Sequence, residues 1–150
     1  LHWQAFRIIR NMAMQIERRY HFYAAHRNLG LKDKCARLHG HRYGVAVILR
    51  LPYGNSGITM KFEMIDQQLK PIFARLDHMT LLDESDPLAN ILGKEQSILF
   101  GFPTSAENLA AYLLHQCRHV IPYCSELRLQ ETDSATIYVD ANDLLEYPRR

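Results

Sequence analysis

Between positions 14 and 26 the chain alternates, with Ile16, Tyr20, Phe22 and Ala24 on even positions and Gln15, Glu17, Arg19 and His21 on odd ones. A period of two with one apolar side predicts a half-buried strand and puts His26 on its inward register. A second alternation over 39–51 sets Tyr43, Val45, Val47 and Leu49 on one face and Arg42, Gly44 and Arg50 on the other, a second strand. The run Pro52-Tyr53-Gly54-Asn55-Ser56-Gly57 then supplies turn chemistry.

From 63 to 76 the period lengthens. Ile65, Leu69, Ile72, Phe73 and Leu76 form one stripe of an amphipathic helix. Pro71 lies inside it and predicts a kink, because it cannot donate to the carbonyl four residues back. The stretch 83–103 reads as a mobile loop or a short extra element. Pro103-Thr104-Ser105-Ala106-Glu107 opens a second helix, with Thr104 as its cap and Glu107 reaching back to the cap's own N–H. Its stripe is Leu109, Leu113, Cys117 and Val120, and Pro122 stops it. Two closing strands follow over 126–132 and 136–140, with Leu127, Leu129 and Glu131 on one face.

The order β-β-α-α-β-β predicts an α+β fold, a four-stranded, mainly antiparallel sheet with both helices on one face. Such a sheet leaves two open edges, so self-association that completes it is expected. At 150 residues the chain suits one domain, and three cysteines at wide spacing argue against a disulfide framework and for a reducing compartment, the cytoplasm. Eighteen Lys plus Arg against sixteen Asp plus Glu is too balanced for the basic surface that nucleic-acid binding needs. Apolar stretches break well before the roughly 18 residues that span a bilayer. The first ten residues make a poor secretory signal, and the missing initiator Met suggests a trimmed chain.

The chemistry gathers around His39-Gly40-His41, two imidazoles on one face of a strand start. H-x-H pairs are more often ordinary polar strand residues; register singles this one out, since antiparallel pairing of the first two strands brings His26 to the same place. Three histidines and one open position suit a catalytic Zn2+. Cys35 lies four residues before His39 beside Lys34 and Arg37, cations expected to draw its thiol toward thiolate; an inert loop cysteine is the alternative. Asp77-His78 reads as a carboxylate-oriented imidazole or as a pair satisfying a helix end. Glu131 on an apolar face needs donors, which a ligand with two parallel N–H groups would supply. His115 and His119, at i and i+4, fit a last helical turn better than a metal site.

Taken together, Phe22-Tyr23-Ala24-Ala25-His26, Cys35-x3-His39-Gly40-His41-x-Tyr43, Leu76-Asp77-His78, Pro103-Thr104-Ser105-Ala106-Glu107-Asn108 and Glu131-Thr132 resemble the 6-pyruvoyl-tetrahydropterin synthase / 6-carboxytetrahydropterin synthase family. The match runs in order over 14–140. The resemblance implies that His26, His39 and His41 bind zinc and that Cys35 is the catalytic thiol. It further implies that Asp77 and His78 form a second proton-transfer unit and that Glu131 anchors a pterin ring, with Glu107 and Thr104 on the substrate side. It implies the tunnelling fold, whose subunits join sheets into a barrel as a trimer or a hexamer of two trimers. The short Cys-x3-His spacing resembles the bacterial 6-carboxy-5,6,7,8-tetrahydropterin synthases of queuosine biosynthesis more than the animal pyruvoyl enzymes. The expected reaction takes 7,8-dihydroneopterin triphosphate to 6-carboxytetrahydropterin, acetaldehyde and triphosphate. The pyruvoyl reaction and a zinc-binding assembly subunit without turnover are the alternatives. Two features depart from the family pattern: Lys61 stands before Phe62 where an Asp is usual, and 1–13 and 83–103 exceed compact members, so the single domain is set at 14–150 with 1–13 as an extension.

Overall fold

The computed structural model describes residues 12–54 and 56–146. Apart from Met12 and Ala13, the expected N-terminal extension lies outside these residues. The two long alternations are strands β1 (Ala13–His26) and β2 (His39–Pro52), paired antiparallel along their whole length from Ala13 opposite Pro52 to His26 opposite His39. Helix α1 (Phe62–Ala74) follows, then β3 (Met79–Asp83), β4 (Ser97–Phe100), helix α2 (Ala106–Val120), β5 (Cys124–Thr132) and β6 (Ala135–Asp140). The strands form one sheet in the order β4-β3-β1-β2-β5-β6.

The α+β class and both helices therefore stand, but the sheet has six strands and is mixed, where the sequence predicts four antiparallel ones. The two additional strands are short and parallel: β3 joins β1 only from Ala24–Met79 to His26–Leu81, and β4 adds to β3. Much of the 83–103 stretch is thereby ordered. Its turn Pro87–Asn90 is capped by Asp86, whose buried carboxylate also pairs with Arg27 at the end of β1. Beyond Ala24, β1 has no partner among the described residues on its β3 side back to Ala13, so a long run of backbone N–H and C=O groups is open to pairing.

The core lies between the sheet and the helices. Phe22, Tyr43, Val45, Val47, Leu49, Leu127 and Leu129 supply the sheet side, and Ile65, Leu69, Phe73, Leu109, Leu113 and Cys117 the helical side. Val120, expected in the buried stripe, is exposed because it is the last residue of α2. Helix α1 continues past Pro71 to Ala74, the proline falling late enough for the helix to end one turn on. Its N-cap is Lys61, which gives no side-chain hydrogen bond. The departure at this position therefore removes a helix cap, since an aspartate there could accept from a first-turn N–H.

A different aspartate fixes α1 to the sheet. Arg18 donates to both oxygens of Asp66, at 3.0 and 2.7 Å, and the Tyr20 hydroxyl donates at 2.7 Å. These donors hold the Asp66 carboxyl at a pKa of about 2, below the ordinary 3.8. A depressed carboxyl stabilises the fold above its unfolded pKa and loses that contribution as pH falls through the folded value. Asp66→Asn should cost about 2 kcal/mol in denaturant unfolding at neutral pH, and the difference from the parent chain should close between pH 4 and pH 2. A pH-independent difference would show that the charge is not what matters.

Candidate metal centre

The β1–β2 hairpin builds the site by register. His26 faces His39 directly and His41 faces Ala24, so all three imidazoles share the inward face. At Gly40 the strands run close together: a Cβ there would meet the Ala24 carbonyl oxygen at 3.3 Å. The ring centroids are 4.6 Å (His26–His39), 4.9 Å (His39–His41) and 5.2 Å (His26–His41) apart. One ligand atom from each residue lies within 4.8 Å of the others.

Hydrogen bonds set which nitrogens are free. His26 Nδ1 donates to the Thr104 carbonyl at 2.7 Å and His39 Nδ1 to the Arg37 carbonyl at 2.7 Å. Orienting bonds of this kind from the second ring nitrogen are what metal-ligating histidines use. His26 Nε2 and His41 Nε2 are buried and have no hydrogen-bond partner. Burial above all pulls both rings below the ordinary imidazole pKa of 6.5, so they are neutral, the form that binds a metal. Two orphaned, buried, neutral nitrogens beside a third imidazole fit a divalent ion with nitrogen preference such as zinc. Among the described residues this is the one group of His, Cys, Asp or Glu so placed, and His115 and His119 are not part of it.

Glu131 Oε1 stands 3.4 Å from His26 Nε2 and 3.8 Å from His41 Nε2, forming no hydrogen bond with either. The half-buried carboxylate thus overlooks the centre from β5. Thr104 is not the cap of α2: Ser105 is, accepting from the Asn108 N–H. Thr104 is fully buried instead, its hydroxyl donating to the Leu81 carbonyl while its own carbonyl holds His26. Glu107 lies exposed in the first turn of α2 and takes no part in the expected capping box.

Cys35 sits in a one-turn 3-10 helix, Lys34–Ala36, on the loop joining β1 to β2, its N–H donating to Asp33 Oδ1 and its carbonyl accepting from the Asn28 N–H. Its thiol pKa is pushed up rather than down, first by partial desolvation and then by Asp33, with Glu131 adding to it and Lys34 opposing. The flanking cations predicted a thiolate, but the capping carboxylate that shapes the turn outweighs them.

Asp77 and His78 form the expected pair, His78 Nδ1 donating to Asp77 Oδ2 at 2.8 Å. Asp77 Oδ1 also accepts from the Tyr23 N–H, which, with His78, holds its carboxyl below the usual range. His78 has φ 62°, and its N–H donates to the Tyr23 carbonyl. A left-handed non-glycine residue with an ordered side chain marks a constrained position. The His78 ring leans on Tyr23, which points away from the face that carries Phe22, Ala24 and His26. The pair therefore packs on the side of β1 that carries Tyr23, away from the face that carries His26, in an open cleft of about 430 Å³ with His41, Arg42 and Thr80 on its walls. Among the described residues no hydrogen bond, ion pair or ring contact joins it to Cys35. Alternation places Tyr43 on the histidine face, the signal that could have drawn it into the site; Arg42 carries no comparable mark.

The fold and this centre define an α+β protein with three histidines able to hold a metal ion at one end of a hairpin. The chain belongs to the 6-pyruvoyl tetrahydropterin synthase family, whose model matches residues 15–142. Among curated proteins it is 30% identical over 137 residues to 6-carboxy-5,6,7,8-tetrahydropterin synthase of Rickettsia felis, covering 81% of this chain and 96% of that one. The Haemophilus influenzae protein of the same name is 29% identical over 133 residues, covering 81% and 94%. The fold matches the Caenorhabditis elegans 6-pyruvoyl tetrahydropterin synthase with a TM-score of 0.68 at 20% identity, covering 88% of this chain and 98% of that one. The Plasmodium falciparum enzyme matches with 0.72 at 18%, covering 86% and 98%. The names of these relatives make the family one of pterin synthases. Among the described residues no helix is long and apolar enough to cross a membrane.

Proposed function

We propose that this chain is a zinc-dependent 6-carboxy-5,6,7,8-tetrahydropterin synthase of queuosine biosynthesis, acting in the cytoplasm on 7,8-dihydroneopterin triphosphate to give 6-carboxytetrahydropterin, acetaldehyde and triphosphate. The observation that carries this is the convergence of His26, His39 and His41 with two unpartnered, neutral ring nitrogens, in a chain whose curated relatives bear that name. These three residues would hold the zinc, which when bound would supply Lewis-acid polarisation.

Every other role falls to the chain. Cys35, on the loop that ends at His39, takes a proton from the substrate side chain. Asp77 orients His78 and fixes its tautomer so that Nε2 exchanges a second proton. Glu131 fixes the pterin at the centre, with Glu107 and Thr104 at the start of α2 on the substrate side. Because His78 leans on Tyr23, which points away from the face that carries His26, the working site is assembled between copies in a homo-oligomer, a trimer or hexamer, with the open edge of β1 available for joining sheets.

The test is incubation of the zinc-loaded protein with 7,8-dihydroneopterin triphosphate and mass spectrometry of the products. Acetaldehyde with 6-carboxytetrahydropterin is the expected result. A 6-pyruvoyl product would overturn it in favour of elimination without side-chain cleavage, and no turnover would leave a zinc-binding assembly subunit.

A further inference from the structure

Among the described residues four buried side-chain polar atoms lack a hydrogen-bond partner: His26 Nε2, His41 Nε2, the Tyr43 hydroxyl and Asn28 Oδ1. Three of them belong to rings packed on one another, for Tyr43 lies 5.4 Å from His41 and 6.0 Å from His26, centroid to centroid. The two nitrogens are accounted for by a metal. The hydroxyl is not.

Tyr43 is fully buried, and its ring is stacked on Phe22 at 4.9 Å. Leaving such a hydroxyl unpaired is destabilising, a cost that phenylalanine in the same packing would avoid. Gly44 lies opposite Gln130, and Glu131, the next residue on β5, reaches to 3.4 and 3.8 Å from the His26 and His41 Nε2 atoms, so the Tyr43 ring packs against the same two histidines that the carboxylate faces. The packing rationale for Tyr43 thus ends at its ring, and the oxygen calls for a partner that arrives with a ligand.

We propose that the Tyr43 hydroxyl is a further ligand-binding group of this site, donating a hydrogen bond to an oxygen of the hydroxylated side chain of a bound pterin. The inference rests on the pterin reading above. It predicts discrimination between pterins that carry side-chain hydroxyls and pterins that do not, because only the former give the donor an acceptor.

The experiment titrates the zinc-loaded protein and its Tyr43→Phe variant with neopterin, which has a hydroxylated side chain, and with 6-methylpterin, which lacks one. Tyr43→Phe should melt at the same temperature or higher and retain its zinc. It should bind neopterin about five- to tenfold more weakly, the range of one neutral hydrogen bond, with 6-methylpterin affinity unchanged. Equal affinity for neopterin in both proteins, or an equal loss for both ligands, overturns the inference. Should the variant not fold, the Tyr43 Cζ resonance of the unaltered protein labelled with 13C-tyrosine decides: it moves with neopterin alone, and an equal response to both ligands, or none, overturns the inference. If the unaltered protein binds neither pterin, the pterin reading itself falls, an outcome distinct from normal binding that ignores Tyr43.

Discussion

Replacing His41 with alanine should give a folded chain that, once loaded with zinc, loses the metal on dialysis. His41 lies on β2 opposite Ala24. Its Nε2 is buried with no hydrogen-bond partner, so deleting the ring removes an unsatisfied polar atom and breaks no hydrogen bond of that nitrogen. His26 is a poorer choice, because its Nδ1 bond to Thr104 fastens the start of α2 to β1. For the metal the loss is severe: removing groups that merely orient ligands costs about 10–100-fold in affinity, and removing a ligand costs at least the upper end of that range. Metal analysis after dialysis, beside a circular dichroism spectrum, is the measurement. A His41→Ala chain that retains one zinc per copy would show that the three imidazoles do not share an ion.

Cys35→Ala should separate metal binding from turnover. The sulfur lies on the connection between β1 and β2, in a turn shaped by the bond from its own N–H to Asp33, and alanine preserves that turn. Zinc content should therefore match the parent. Turnover of 7,8-dihydroneopterin triphosphate should fall about 10²–10⁴-fold, the worth of a positioned proton-transfer group. Near-normal turnover in this variant would remove Cys35 from the proton-transfer role. Partial desolvation and Asp33 raise the thiol in the isolated chain, with Lys34 opposing, so the neighbouring cations alone do not supply the activation that this role requires.

The hairpin and its histidines were legible because alternation carries register. Once 14–26 and 39–51 read as neighbouring antiparallel strands, His26 and His39 are close to forced together, and the pairing in the structure is of that kind. The β3 and β4 strands were not legible. Each is four or five residues long, and they pair in parallel, so neither length nor a tight turn announces them. The helix start shows a subtler failure. Thr104 and Ser105 are chemically alike as caps, and only the tertiary demand for a carbonyl beside His26 Nδ1 moves the cap one residue on. Cys35 follows the same logic: the sequence displays Lys34 and Arg37, whereas the backbone turn brings in Asp33, whose effect on the thiol exceeds that of Lys34.

The cysteines have a practical corollary. Cys117 and Cys124 are wholly enclosed by the core, with burial the main cause of their raised pKa values, while Cys35 is partly accessible. A water-soluble alkylating reagent therefore meets a single reactive sulfur in the native fold, the one on the β1–β2 connection. Stoichiometry of labelling becomes a gauge of integrity: one adduct per chain reports an intact interior, and any excess reports that the helical layer has lifted from the sheet.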